Sequence, residues 1–112
     1  MRHHTINYIE LGARNISALK VFYGEVFGWT FQDFGPEYAA FHDGHMEGGF
    51  AQNAPIGAAP LVILYSNALE STRDSILAAG GAITQDIYDF PGGRRFHFTD
   101  PDGNGLAVWS KI

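Results

Sequence analysis

The sequence predicts an α+β fold in which two βαβββ modules follow one another within 112 residues. Strand-like apolar runs and runs with helical periodicity occur in the same order twice. Matching landmarks are also evenly spaced: candidate helix caps at Asn15 and Asn67 lie 52 positions apart, and glycine helix ends at Gly28 and Gly81 lie 53 apart. We therefore expect a single domain, residues 1–112, whose modules span about residues 1–53 and 60–112.

In the first module, a strand over Thr5–Leu11 precedes a helix that Asn15 caps and Gly28 ends. Apolar residues recur along this helix at steps of three and four: Ile16, Leu19, Phe22, Tyr23, Val26 and Phe27. Three strands are then predicted, at residues 29–34, 38–42 and 46–52. Asp43-Gly44 is the dipeptide typical of a type I′ hairpin turn between the last two.

A proline-containing segment without periodicity, residues 53–60, is interpreted as a linker to the second module. A strand at residues 61–65 then leads to a helix that Asn67 and Glu70 open as a capping box and Gly80-Gly81 ends. The remaining strands are expected at residues 82–88, 94–99 and 105–110.

Composition excludes several kinds of function. A formal net charge of -5 disfavours binding to nucleic acid or to anionic membrane surfaces. Without cysteine the chain has no disulfide, thiolate zinc site, iron–sulfur cluster or cysteine nucleophile. No run reaches the roughly 18 apolar residues of a membrane helix, and the first residues do not look like a signal peptide, so we expect a cytoplasmic protein.

Three strings carry a resemblance to a known family: Phe22-Tyr23-Gly24-Glu25-Val26-Phe27-Gly28-Trp29, Ala79-Gly80-Gly81, and Phe98-Thr99-Asp100-Pro101-Asp102-Gly103-Asn104. In order and spacing they resemble the vicinal oxygen chelate superfamily, which includes glyoxalase I, extradiol dioxygenases and the bleomycin-resistance binding protein. The branch most similar is that of predicted enzymes related to lactoylglutathione lyase. The resemblance implies a curved mixed sheet around a pocket, helices on the convex faces, and a homodimer.

Alternation along the strands selects the side chains expected in that pocket. Successive side chains point to opposite faces of a sheet, and Ile9 and Leu11 are assigned to the helix side. The residues then expected to bind a small molecule are Tyr8, Glu10, Leu61, Ile63, Tyr65, His97, Ala107 and Trp109. For His97 the assignment requires that Arg95, His97 and Thr99 face inward; otherwise His97 lies on the surface.

The resemblance also implies a divalent metal held by a His on the first strand, a His at the start of the fifth and a Glu on the last. The matching positions here are Tyr8, Leu61 and Ala107, and the side chains of Leu and Ala have no lone pair to donate. We therefore expect no metal at these positions and no other cofactor. A relocated metal site remains an alternative, with ligands drawn from His42, His45, Glu47, His97 and Glu10.

Several of these residues also have simpler interpretations. His42 and His45 flank a tight turn, where histidines are commonly solvated, and His3 and His4 are interpreted as a frayed terminus. Glu10 is a candidate general base, because an apolar cleft disfavours its charged form, or it makes a structural hydrogen bond to a neighbouring turn.

Two segments of the second module have both a functional and a structural interpretation. Residues 100–104 lack the closing Glu of a calcium loop and have the composition of a hairpin turn. Arg94 and Arg95 either meet an anionic ligand or lie exposed on a hairpin.

Three functions stay open. The first is a metal-independent small-molecule binder with an aromatic or cationic ligand, since Tyr8, Tyr65 and Trp109 offer stacking surface. The second is an enzyme, either an isomerase or lyase with Glu10 as base or a glyoxalase- or dioxygenase-like catalyst with relocated ligands. The third is a structural or partner-binding module, for which the sequence has no positive signal.

Overall fold

The computed structural model describes residues 1–55, 57 and 59–112; Ile56 and Ala58, two positions of the predicted linker, lie outside the described residues. The elements are β1 (Ile6–Gly12), α1 (Ile16–Phe27), β2 (Thr30–Asp33), β3 (Tyr38–His42), β4 (Glu47–Ala51), β5 (Leu61–Tyr65), α2 (Leu69–Ala78), β6 (Ala82–Phe90), β7 (Gly93–Thr99) and β8 (Gly105–Ser110). The strands form one mixed, open sheet in the order β2-β3-β4-β1-β5-β8-β7-β6. This confirms the predicted α+β class and the repeated βαβββ order.

The chain divides into two compact units, one of residues 8–60 and one that combines residues 1–7 with residues 61–112. The start of the chain joins the second unit through backbone hydrogen bonds to β5. The N–H of His4 donates to the carbonyl of Tyr65 at 2.7 Å, and the N–H of Tyr65 donates to the carbonyl of Thr5 at 3.0 Å. The first residues of β1 therefore belong with β5, while Tyr8–Gly12 pair in parallel with β4.

The unit of residues 8–60 is built around α1. The helix begins as predicted, because the side-chain oxygen of Asn15 accepts from the N–H of Ala18 at 3.0 Å, and it ends at Gly28, whose φ of 73° is left-handed. Its core is a buried cluster with an aromatic stack: Ala13, Ile16, Ala39, Phe41 and Phe50, flanked by Leu11, Leu19, Tyr23, Trp29 and Phe31. Phe22, Val26 and Phe27, predicted on the apolar face of α1, are more than half exposed.

The second unit packs α2 against β6, β7 and β8. Its core contains Leu69, Phe96 and Val108, flanked by Leu64, Ile76, Ile83, Ile87 and Phe98. Helix α2 ends as predicted, since Gly80 has a φ of 97° and the N–H of Gly81 donates to the carbonyl of Ile76 at 2.9 Å. No helix in the described part of the chain is long and apolar enough to cross a membrane.

Two predictions about the start of the second unit are wrong. Ala68, not Asn67, is the N-cap of α2 and makes no side-chain cap bond; the hydroxyl of the buried Ser66 instead accepts from the N–H of Ala68 at 3.0 Å. His3 and His4 are not frayed. Nδ1 of His3 accepts from the N–H of Asn67 at 2.8 Å, and the ring of His4 lies 2.9 Å from the hydroxyl of Thr72.

The hairpin between β3 and β4 also differs from the prediction. A type I′ turn requires positive φ at both central residues, but Asp43 does not have a positive φ, whereas Gly44 has a φ of 97°. The carboxylate of Asp43 accepts from the N–H groups of His45 and Met46 at 2.8 and 2.6 Å. The central pair is therefore Gly44-His45, with glycine first as in a type II′ turn.

Candidate functional site

In the unit of residues 8–60, three hydrogen-bonded side chains lie on the sheet face opposite α1. Leu11 packs into the core beside α1, so the alternation of β1 places Tyr8 and Glu10 on the other face, as predicted. The phenol of Tyr38 on β3 donates to the Glu10 carboxylate at 3.0 Å, and the Tyr8 and Tyr38 phenol oxygens lie 2.5 Å apart. Tyr8 and Glu10 are thus linked through a residue that the sequence did not indicate.

Two features of the unit favour the hydrogen bond from Tyr38 to Glu10: the space left by Gly49 and the protonated state of the phenol. Gly49 lies opposite Glu10 in the parallel register of β1 and β4, and a Cβ there would come within 2.6 Å of the Tyr8 hydroxyl and overlap the Tyr38 phenol. Burial, the charge of the Glu10 carboxylate and the hydrogen bond to Tyr8 raise the pKa of Tyr38 well above its usual range. Tyr38 therefore stays protonated and acts as a hydrogen-bond donor to Glu10.

In the second unit, an aromatic surface lies on the face opposite α2. Leu64 and Val108 belong to the core beside α2, so their neighbours in the alternation face the other way: Leu61, Ile63 and Tyr65 on β5, and Ala107 and Trp109 on β8. The Tyr65 and Trp109 rings make an edge contact with centroids 5.0 Å apart. Phe90, which the sequence analysis missed, lies 6.1 Å from Trp109.

Trp109 has a fixed orientation. Its indole N–H donates to the side-chain oxygen of Asn7 at 3.0 Å, while Ile63, Tyr65 and Ala107 around it are 2%, 5% and 0% exposed. Trp109 itself stays partly exposed. The surface therefore combines a buried apolar base with an accessible aromatic ring.

His97 lies on this same face, because it is opposite Ala107 in the register of β7 and β8. Its Nε2 is 2.9 Å from the Tyr88 phenol oxygen, to which Nε of Arg95 also donates. Arg95, His97 and Thr99 thus lie on the face opposite α2, since Phe96 points into the core. Tyr88 was not among the expected site residues.

The metal positions that the resemblance implies do not fit a metal ion in this chain. Leu61 and Ala107 offer only hydrocarbon side chains, and the phenol oxygen of Tyr8 is hydrogen-bonded to Tyr38. A divalent metal in a protein needs about three oxygen, nitrogen or sulfur ligands from side chains or backbone. No reaction step is therefore assigned to a metal at these three positions.

The other candidate ligands fall into different surroundings. Nδ1 of His42 accepts from the N–H of Gly44 at 2.9 Å, and His42 and Glu47 are cross-strand partners. Among residues 1–55, 57 and 59–112, no group of three or more His, Cys, Asp or Glu side chains has the arrangement needed to hold a metal ion. The structure thus gathers no alternative ligand set from His42, His45, Glu47, His97 and Glu10.

The loop of residues 100–104 and the side chain of Arg94, which lies on β7, are held by polar contacts. Asp100 accepts from the N–H groups of Asp102 and Asn104, each at 2.9 Å. The hydrogen bond from the Asn104 side chain, followed by these backbone bonds, lowers the pKa of Asp100. This arrangement is the predicted hairpin turn. Arg94 makes two bonds to the Glu70 carboxylate, at 2.6 and 3.1 Å, and a third to the carbonyl of Ile112 at 2.8 Å.

Comparison with known proteins shows a relationship over most of the chain. The sequence model of the Glyoxalase/Bleomycin resistance protein/Dioxygenase superfamily matches residues 5–108. Proteins of Mycobacterium bovis and Mycobacterium tuberculosis named "Putative glyoxylase CFP32" are 28% identical over 120 residues, which cover 96% of this chain and 46% of theirs. The chain thus spans about half the length of these relatives.

Solved structures show the same fold. The hypothetical protein BH1468 from Bacillus halodurans superposes with a TM-score of 0.80 at 11% identity, covering 99% of this chain and 96% of that one. The Mn(II)-bound glyoxalase from Novosphingobium aromaticivorans gives a TM-score of 0.70 at 24% identity, covering 99% of this chain and 40% of that one. At these identities the likeness concerns the fold alone.

Proposed function

We propose that this chain, which belongs to the Glyoxalase/Bleomycin resistance protein/Dioxygenase superfamily, is a small-molecule-binding protein with Trp109 as its main contact residue. One observation carries the proposal: Trp109 is partly exposed, yet its ring is held by Asn7 and Tyr65 over a buried base of Ile63 and Ala107. A rigid aromatic ring offers a large contact area to a planar ligand at little cost in conformational entropy.

The test is a screen of planar aromatic compounds followed by calorimetry on variants. Trp109→Ala is expected to lower the affinity of any ligand found by at least about tenfold, because an aromatic anchor contributes on the order of 2 kcal/mol or more at a binding site. Phe34→Ala is the matched control, since Phe34 is an aromatic residue of the other unit with 56% of its surface exposed. Equal affinity of wild type and Trp109→Ala for the ligand would show that Trp109 is not part of the binding site.

The proposed binding uses no metal ion at the superfamily's usual positions, because the side chains of Leu61 and Ala107 supply no ligand atoms. Metal content by mass spectrometry, on tag-free protein purified without nickel resin, tests this part separately. Protein with much less than one metal ion per chain is the expected result. Near-stoichiometric iron, zinc, manganese or nickel would contradict it, and substitutions of His42, His45, Glu47 and His97 would then identify the ligands.

A second candidate function is a metal-free isomerase or lyase with Glu10 as general base. The observation in its favour is that Tyr38 donates to the Glu10 carboxylate while lying 2.5 Å from Tyr8, so the carboxylate is held in a defined position. A general base must lie within hydrogen-bond reach of the proton that it removes. Once a turnover assay exists, full activity in Glu10→Gln would eliminate this candidate.

The expected surroundings of the protein are part of the same proposal. We expect a small-molecule ligand, no nucleic acid or membrane partner, a cytoplasmic location and a homodimer. The chain has a mass of 12.3 kDa, so light scattering at micromolar concentration distinguishes a monomer from a homodimer. A particle of one chain mass would contradict the homodimer without affecting the ligand proposal.

A further inference from the structure

Helix α1 carries apolar side chains on the side that does not pack into the core of its own unit. We call this surface the α1 patch; its residues are Ala18, Val21, Phe22, Val26 and Phe27. The two valines and the two phenylalanines are between 52% and 60% exposed, and Ala18 is exposed as well. A helix that is apolar all round is normally buried all round, so the patch is unusual for a surface helix.

The residues of the patch are neighbours on the helix. Ala18, Phe22 and Val26 follow one another at steps of four, which aligns them in one row. Val21 is three positions from Ala18 and therefore lies beside that row. The Phe22 and Phe27 rings make an edge contact with centroids 6.4 Å apart. The patch is thus one continuous surface rather than a set of separate exposed residues.

The second helix shows that the fold does not require such a surface. Helix α1 follows β1 and helix α2 follows β5, so both hold the same place in their modules. The exposed positions of α2 include Glu70, Ser71, Asp74 and Ser75. The apolar outer side is therefore particular to α1, and large exposed apolar patches mark interaction sites.

The α1 patch is also nearly free of charge. Lys20, at its side, is paired with the carboxylate of Asp33 at 2.8 Å. Glu25 is the one charged residue at the exposed positions of α1, a helix that the structure describes completely. Such a surface is complementary to another apolar surface. A second copy of the chain supplies one, since a two-fold axis brings the same patch of both copies together.

The area of the patch agrees with what a small homodimer needs. A fully exposed phenylalanine side chain offers roughly 200 Å², so at the observed exposures the patch presents roughly 400 Å² per chain. Two facing patches would bury roughly 800 Å² of apolar surface. Because about 65% of a homodimer interface is apolar, the whole interface would reach roughly 1,200 Å², the lower end of the range for stable complexes.

We infer that the α1 patch is the contact between two copies of this chain, with their α1 helices crossing at a two-fold axis. The inference rests on the homodimer expected under the proposed function and deepens it by naming the interface. Rows of residues at steps of four interdigitate when two helices cross at about 50° with axes about 8–10 Å apart. The row of Ala18, Phe22 and Val26 suits this packing, since the small Ala18 side chain permits a close approach.

The first test is the mass of the particle over a dilution series, by light scattering or sedimentation. Wild type is expected to form a particle of two chains. Val26→Glu should raise the dissociation constant at least about hundredfold, because symmetry places two unpaired carboxylates in an apolar contact. Leu77→Glu is the matched control and should keep the wild-type mass, since Leu77 is an apolar residue of α2 with 51% of its surface exposed.

Crosslinking provides a second test with milder substitutions. The chain has no cysteine, so a single introduced thiol reports on one position. Ala18→Cys, treated with a short bismaleimide that joins two thiols, should give a covalent product of twice the chain mass. Ala78→Cys, at an exposed alanine of α2, should give none under the same conditions.

The outcomes separate the interface from the other proposals. A wild-type particle of one chain would overturn both the homodimer and this interface, and would leave the patch to a different partner. A two-chain particle that survives Val26→Glu, or crosslinking at Ala18→Cys no greater than at Ala78→Cys, would overturn the interface alone. None of these results affects ligand binding at Trp109. The crosslinking comparison can contradict the inference even if Val26→Glu does not fold.

Discussion

The phenol of Tyr38 donates to the carboxylate of Glu10 at 3.0 Å, although 28 positions separate the two residues in the chain. The same phenol oxygen is 2.5 Å from that of Tyr8, so one hydroxyl connects β1 with β3 across β4. Tyr38 therefore helps to position the side chains of both Tyr8 and Glu10.

Tyr38→Phe is expected to lower the free energy of unfolding by about 1–3 kcal/mol, because it removes the two hydrogen bonds that the phenol makes to Tyr8 and Glu10. Urea denaturation of wild type and variant measures the difference. Tyr23→Phe is the control, since it removes a phenol oxygen from the aromatic stack of the same unit. A loss no larger than that of the control would show that the hydrogen bonds of Tyr38 contribute little net stability.

Alkaline pH should reduce the contribution of Tyr38 to the free energy of unfolding. The fold raises the pKa of Tyr38 above the usual 10.0, through burial first and then the charge of Glu10. The stabilisation is therefore complete below pH 10 and is lost as the pH rises towards the higher folded value, because the unfolded chain releases the proton first. The stability difference between wild type and Tyr38→Phe should narrow above pH 10; a constant difference would contradict this.

Gly49→Ala should destabilise the unit of residues 8–60 by about 1–3 kcal/mol, because the added methyl group would overlap the Tyr38 phenol. Gly105→Ala is the matched control on another strand, since no atom lies within 4 Å of a Cβ built there. Thermal unfolding compares the two variants. Equal melting temperatures would mean that the two phenols move aside at no cost.

Acid should weaken the contact between β7 and α2. The bonds from Arg94 lower the pKa of Glu70 from 4.5 to about 2, so their contribution is present above pH 4.5 and is lost as the pH falls towards 2. Glu70→Gln should show a smaller loss of thermal stability across this range than wild type does. Glu25→Gln, which removes an exposed carboxylate from α1, should behave like wild type; a Glu70→Gln profile that matches it would refute the assignment.

Much of the fold follows from local sequence signals. Apolar alternation predicts which residues of β5 and β8 share a face, since Leu64 and Val108 do pack against α2 while Tyr65 and Trp109 lie opposite. Helix α1 begins at Asn15 and ends at Gly28 as expected, because each of these residues caps the helix through hydrogen bonds within one turn of it. Asn67 is not the cap because α2 begins one residue later, with Ala68 as its N-cap, and the contacts that fix this start come from Ser66 and the distant His3.

The candidate site residues that were missed depend on strand register, which a single sequence does not specify. Tyr38 meets Glu10 only because β4 pairs in parallel with β1 and antiparallel with β3. Tyr88 meets His97 across a stretch of β6 and β7 where the register shifts. Asn7 meets Trp109 because the two ends of the chain adjoin. The hairpin at Gly44 offered a signal for Tyr38. Pairing β3 with β4 outward from this turn places Tyr38 on the same face of the sheet as Gly49.

The division of β1 between the two units has a consequence for the order in which the protein is synthesised and folds. Residues 8–60 are contiguous, so every partner within that unit is present once residue 60 has left the ribosome. The other unit joins residues 1–7 to residues 61–112, and Asn7 waits for Trp109, 102 positions later. Such distant pairing forms slowly, and residues 1–7 remain without their native neighbours until residues 61–112 have been synthesised.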